Sequence, residues 1–213
     1  MSTSNDKVAS VRITSISSWT DHLFSFKTER PAGFKFAAGQ FARLGLPIQA
    51  GSSELVWRAY SIASGPYDEE LEYYSIVVPN GAFTSQLSSL KVGDELLMER
   101  QNHGFLTIDR FALTGDLWML ASGTGLAPFL SILQDPQAWE AFDRLILVHS
   151  VRAPNELAYH EWIQALPRHP VFGESATETL IYQPVVTPEP TPDPLRAGSS
   201  YTASFPTPPT WPA

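Results

Sequence analysis

The sequence predicts a β + α/β chain, an antiparallel β-barrel followed by a parallel α/β domain, and three observations carry that prediction. Through the first half, short segments with strand-like alternation are separated by turn residues at regular spacing. After Thr114-Gly115-Asp116 the alternation gives way to continuous apolar runs, as in strands buried on both faces. The first such run ends in Gly123-Thr124-Gly125 and leads into a helical pattern, a strand, glycine turn and helix in succession.

Taken in order, residues 8–17 alternate Val11 and Ile13 with Ser and Thr, and 23–27 are short and aromatic. Residues 39–46 place Phe41 and Leu44 around Arg43, and 57–64, 71–78 and 95–99 complete the barrel set, which is expected to span 8–108. Turn signals stand between them at Pro31-Ala32-Gly33, Gly65-Pro66, Pro79-Asn80-Gly81 and Val92-Gly93-Asp94. A helix is expected over 80–90, opening at a glycine turn with Thr84 and Ser85, where free N–H groups favour an anion. Hydroxyl residues also cap helices that bind nothing. In the second half, 117–122 and 145–151 read as buried parallel strands, and 178–187 as a third. Pro128 suits the first turn of the helix carrying Phe129, Ile132 and Leu133, and a further helix opens at Asn155-Glu156-Leu157. Arg152 lies just past the carboxyl end of a strand, where parallel sheets bind ligands. A solvated arginine at a loop start has the same sequence signature. His149 reads as a strand-end residue.

Within 57–64, Arg58, Tyr60 and Ser61 offer a guanidinium, a phenol and a hydroxyl, with Tyr60 and Ile62 on one side and Ala59 and Ser61 on the other. Such a set can hold a flat ring with a phosphate tail: Arg58 pairs bidentately with phosphate, Tyr60 stacks or hydrogen-bonds, and Ser61 meets a polar edge. An ordinary barrel strand with one exposed arginine has the same pattern.

Composition narrows the classes. A chain of 213 residues suits one large or two small domains, and 43% hydrophobic residues supply a core. The net charge of −8 argues against general nucleic-acid binding, though not against a local basic patch. Without cysteine there is no disulfide, zinc or iron–sulfur site of cysteine type, and no metal is expected. Residues 1–7 lack the apolar run of a leader, and no stretch approaches the ~18 apolar residues of a membrane span. A soluble, cytoplasmic chain with neither nucleic-acid nor membrane partner is expected.

Arg58-Ala59-Tyr60-Ser61 resembles the R-x-Y-S flavin signature of the ferredoxin–NADP reductase superfamily. Together with the text from Gly123 through Pro128 to Leu133, it is similar to the bacterial ferredoxin (flavodoxin)–NADP reductases, over residues 8–187. The resemblance implies an FAD-binding barrel and a Rossmann-like NADP-binding domain. It assigns FAD to Arg58, Ala59, Tyr60, Ser61, Tyr74, Gly81, Ala82, Phe83, Thr84, Ser85 and Thr124. It assigns NADP(H) to Gly123, Gly125, Val151 and Arg152, with Ser61 and Thr124 positioning a hydride transfer that needs no protein acid or base. The implied activity moves electrons between NADPH and ferredoxin or flavodoxin. The alternatives are a catalytically impaired flavin-binding fragment and the reductase component of another electron-transfer system.

The resemblance stops after Thr187. The family pattern should run on into an Arg-Glu pair and a second arginine for the 2′-phosphate of NADPH, but Pro188 opens a proline-rich text without Val, Ile or Met. The expected division is therefore 1–110 for the barrel, 111–187 for a partial α/β domain and 188–213 for a disordered tail. A frameshift or premature end accounts for the break, and a natural short form is the alternative. In a sheet ordered 3-2-1-4-5, the strand at 117–122 would become an exposed apolar edge. A monomer is expected, with self-association through that edge as the other outcome.

Overall fold

Alternation in the first half builds the barrel. β1 (Val8–Ser18) turns Ala9, Val11 and Ile13 inward and leaves Ser10 and Arg12 outside. It is joined by β2 (Leu23–Glu29), β3 (Phe41–Pro47), β4 (Leu55–Ser61), β5 (Glu70–Ile76) and β6 (Glu95–Glu99). The strand order is β4-β3-β6-β1-β2-β5, with every neighbour antiparallel. Between the two outer strands the backbone contacts among the described residues are an Ile62–Tyr73 bridge and a 2.8 Å bond from the Ala63 N–H to the Glu72 carbonyl. The expected barrel is present, with a thin seam between β4 and β5. Phe26, Leu44, Ile62, Leu71, Tyr73 and Met98 fill its interior. The structure, a computed structural model, describes residues 7–49 and 51–187; the tail expected at 188–213 lies outside the described residues.

The helix expected over 80–90 is α-helical only at α1 (Thr84–Leu87). Asn80, at φ 58, and the turn at Gly81 delay its start, and the tighter bonds of Ser89 and Leu90 end it. Phe83 and Leu87 of this short element plug the end of the barrel.

The second half stacks a parallel sheet against helices. β7 (Asp116–Ser122), β8 (Arg144–Val151) and β9 (Leu180–Val186) lie in the order β7-β8-β9, the expected order for the first three strands. α2 (Ala127–Leu133), α3 (Pro136–Ala141), α4 (His160–Ala165) and α5 (Gly173–Thr179) accompany them. The strand expected from 178 begins at Leu180, because Glu178 and Thr179 close α5. The helix expected from Asn155 begins at His160, because Tyr159 at φ 60 cannot continue a right-handed turn. Asp116 and Arg144 pair their side chains at 2.8 Å and lock the starts of β7 and β8 in register. On the open face of β7, Trp118 and Leu120 are 57% and 67% exposed.

The two halves share a wall. On β5, Tyr73 points into the barrel while Tyr74 joins the α/β core beside Leu23 of β2. Gln134, at the end of α2, donates to the Ala63 carbonyl at 2.8 Å and adds a polar tie. Gly39, at φ +91, lies so close to the Leu106 carbonyl oxygen that an added Cβ would overlap it. The connecting segment is thereby pressed against the barrel.

His149 is a buried residue of β8, between Ala121 and Pro184, and not the strand-end residue that the sequence suggests. Both ring nitrogens lack a hydrogen-bond partner among the described residues, and the ring nears the Gly123 backbone without completing a bond. Burial lowers its pKa, the Gly123 backbone opposes this, and His160 reinforces it. Above the ordinary value of 6.5 the ring is neutral folded or unfolded; below it, the unfolded chain takes up a proton that the buried ring resists. Stability is therefore expected to fall as pH drops from about 7 to about 5. In thermal melts across that range, His149→Leu should flatten the fall, and a profile parallel to wild type would contradict the assignment.

Candidate functional site

A cleft of about 500 Å³ opens where β4, β5, the 78–84 turn and the glycine turn converge. Of the eleven residues expected around FAD, ten line it: Arg58, Ala59, Tyr60, Ser61, Tyr74, Gly81, Ala82, Phe83, Thr84 and Thr124. Ser85 lies outside the lining, its N–H bonded to the Gly81 carbonyl at 3.0 Å. Gly125, expected at the nucleotide side, lines this cleft too. A second cleft of about 300 Å³ at the carboxyl ends of β7 and β8 holds Gly123, Val151 and Arg152, and shares Ile76 and Thr124 with the first. The sequence-assigned residues therefore fall into two joined spaces, with Thr124 at the junction.

Local folding explains each position. Period-two alternation on β4 puts Arg58 and Tyr60 on one face; Tyr60 is buried, and Arg58, in the middle of the strand, is exposed. The Arg58 guanidinium donates to the Trp57 carbonyl at 2.8 Å, and its remaining N–H groups have no partner among the described residues. Tyr60 is set in a ring cluster with Phe26, Tyr73 and Phe83, and its hydroxyl shares a 3.0 Å bond with Ser75. Burial raises its pKa, against the Ser75 bond and the Arg58 charge, so it is a neutral phenol. The Thr84 hydroxyl accepts from the Val78 N–H at 3.1 Å and fixes the turn. The same residue lines the cleft, as its sequence position suggests.

Three features of the cleft match a ring with a phosphate tail. The Tyr74 hydroxyl is buried and has no hydrogen-bond partner among the described residues, and burial followed by the Glu156 charge raises its pKa. An orphaned donor of this kind is costly unless a ligand meets it. The N–H groups of Ala82, Phe83 and Thr84 have no acceptor among the described residues, and all three residues line the space beside Arg58. An added Cβ on Gly125 would meet no protein atom within 4 Å, although Gly125 lines the cleft, so the room there is free for a ligand. Gly123 needs its glycine for a different reason, φ +51.

At the second cleft Arg152 is held in place. Its Nη2 donates to Glu156 Oε1 at 3.0 Å and its backbone N–H to Oε2 at 3.0 Å, while His22 of the β1–β2 turn lies 3.6 Å from the same carboxylate. Burial raises the Glu156 pKa, but the Arg152 bonds and charge, with His22, outweigh it and hold the carboxyl below its usual range. Sequence reasoning passed over Glu156, although a carboxylate four residues after an arginine is a visible signal. It also passed over Ser75, whose bond to Tyr60 depends on a register that no local motif encodes.

Residues 9–101 match the oxidoreductase FAD-binding domain family, and residues 119–188 the oxidoreductase NAD-binding domain family. A ferredoxin–NADP reductase of Pseudomonas aeruginosa is 48% identical over 180 residues, which cover 84% of this chain and 69% of that protein. Its counterpart in Azotobacter vinelandii is 47% identical, covering 84% and 68%. Among solved structures, a ferredoxin NADP+ reductase from Neisseria gonorrhoeae with bound FAD and NADP superposes with a TM-score of 0.77 at 34% identity, covering 87% of this chain and 71% of that one. Close identity through both halves, on the same barrel and parallel sheet, means that this chain belongs to the ferredoxin–NADP reductase family.

Proposed function

We propose that this chain is an FAD-dependent reductase that moves electrons between NADPH and a ferredoxin or flavodoxin. The observation that carries the reading is the 500 Å³ cleft, where an exposed guanidinium, N–H groups and a phenol without acceptors among the described residues converge. The residues of that cleft would hold FAD, which when bound would supply the redox chemistry that lets a two-electron donor such as NADPH serve a one-electron carrier. The protein supplies binding and orientation. Arg58 and the N–H groups of the 82–84 turn hold the pyrophosphate. Tyr60, Ser61 and Tyr74 face the ring, and Thr124 stands where the two clefts join. Gly123, Val151 and Arg152 receive the nicotinamide dinucleotide, and Gly125, which lines the larger cleft, leaves room where it meets the flavin. No side chain has to accept or donate a proton at the transferred hydride.

The division 1–110, 111–187 and 188–213 belongs to the same proposal, and its first two parts are supported by the two matched ranges, 9–101 and 119–188. So does a cytoplasmic location; no described helix is long and apolar enough to cross a membrane. A second reading, a flavin-binding chain with weak NADPH use, is favoured by one observation. Arg152 is the basic side chain lining the smaller cleft, and Glu156 already engages it.

Titration with FAD, followed by flavin fluorescence, tests the assignment. Arg58→Ala should weaken FAD binding about 10–100-fold, the equivalent of about 1.5–3 kcal/mol for bonds to a charged group. Gly125→Val should weaken it about tenfold with no change in thermal midpoint, since its side chain meets ligand and not protein. Arg152→Ala should leave it unchanged. A wild-type chain that takes up no FAD contradicts the reading. For assembly, we propose a monomer whose open β7 edge, with Trp118 and Leu120, pairs copies only at high concentration. Light scattering should show mass rising with concentration and Leu120→Lys should suppress the rise; a constant monomer mass removes the edge from the account.

A further inference from the structure

Among the described non-glycine residues, only Asn80 and Tyr159 have positive φ, at 58° and 60°. Asparagine tolerates that region, whereas a bulky ring enters it only when its surroundings compensate. Around Tyr159 they do. Its hydroxyl donates to Glu72 Oε1 at 2.7 Å. Its ring centroid lies 4.8 Å from that of Trp19 and 5.4 Å from that of Tyr74, the latter edge-on at 86°. Burial raises its pKa, with the Glu72 charge adding to the effect, so the phenol stays a donor.

Tyr74 makes this arrangement more than a structural tie. Its hydroxyl has no hydrogen-bond partner among the described residues, so none of them fixes by a polar contact the ring that walls the larger cleft. The orientation of Tyr74 rests on packing, and Tyr159 supplies the edge-on contact. Both Tyr74 and Glu72 belong to β5 and point to its outer side, so Tyr159 grips one strand at two places. The segment that ends at Tyr159 begins at Arg152 and is anchored midway, where Glu156 meets His22. One short loop therefore carries Arg152 at the mouth of the smaller cleft and Tyr159 behind the wall of the larger one.

We propose that Tyr159 is a positioning residue for the hydride-transfer step, acting through Tyr74 to set the ring-facing wall of the cleft and the spacing between the barrel and the Gly123–Thr124 turn. The inference rests on the reading of that cleft as the FAD site. It assigns a reaction role to a residue that lines neither cleft.

The test uses the full chain loaded with FAD and three variants. Tyr159→Leu removes the ring, Tyr159→Phe keeps the ring and loses the Glu72 bond, and Glu72→Gln keeps an acceptor for the hydroxyl. Two quantities are read: the visible absorption band of the bound flavin, and its single-turnover reduction by excess NADPH. Tyr159→Leu should shift the band and lower the limiting reduction rate about tenfold, while the NADPH concentration for half-maximal rate changes less than twofold. Tyr159→Phe should fall between it and wild type, and Glu72→Gln should keep the wild-type band. If Tyr159→Leu fails to fold, Tyr159→Phe and Glu72→Ala decide, and should shift the band equally and without additivity when combined. Folded variants with the wild-type band and rate overturn the inference. If wild type holds FAD that NADPH does not reduce, the band alone decides. A wild-type chain that holds no FAD overturns this inference and the functional reading together.

Discussion

β5 is buried on both faces, and the rest of the structure depends on that. A barrel strand with one wet face would alternate polar and apolar residues, but Tyr73, Tyr74 and Ser75 in succession are all buried. Tyr73 completes the barrel interior, and Tyr74 enters the core of the α/β half. Burial of large rings on both sides makes the join between the halves part of the hydrophobic core and not a wet contact between domains. The clefts sit along this join, so their shapes are fixed by the same packing that holds the halves together. A site assembled from two folding units needs such a wall, since small shifts across it would alter how two rings face each other.

The polar groups on either side of the wall divide into two kinds. Some are satisfied within the protein and hold geometry: Tyr60 with Ser75, Thr84 with Val78, Arg152 with Glu156, Tyr159 with Glu72. Others are left open: the Tyr74 hydroxyl, the outer N–H groups of Arg58 and the N–H groups of the 82–84 turn. Folding normally pairs buried polar groups, so the buried Tyr74 hydroxyl, beside the exposed Arg58 and the 82–84 N–H groups, marks where binding would complete the structure. The open groups are those that a phosphate-tailed ring would meet. The closed ones are those that aim it.

Much of this was legible in the sequence, for identifiable reasons. Strand-like composition, two-residue periodicity and the turn residues between segments located the six barrel strands, because each buries at least one face in a common interior. The R-x-Y-S text and the glycine turn located the cleft, because both place several ligand-facing groups within a few consecutive residues. Less legible were features made by residues distant in the chain. The Ile62–Tyr73 seam, the meeting of His22 with Glu156 and the contact of Tyr159 with Tyr74 each join segments that no local pattern relates. The break in helix at Tyr159 has no glycine or proline to announce it, since tertiary packing imposes that conformation. His149 likewise resembles a strand-end polar residue and is in fact fully buried, because β8 is the central strand and β7 and β9 flank it on both sides.

The central claim is that the two joined clefts place a nicotinamide against a flavin. It is tested most directly by anaerobic addition of NADPH to the FAD-loaded chain while the flavin's visible absorption is followed. The account predicts that the band bleaches on addition of NADPH, and that Arg152→Ala shifts the required NADPH concentration upward without altering the flavin spectrum. A band that resists NADPH and disappears only with dithionite would contradict it, leaving a barrel that binds flavin beside a cleft that does not deliver hydride.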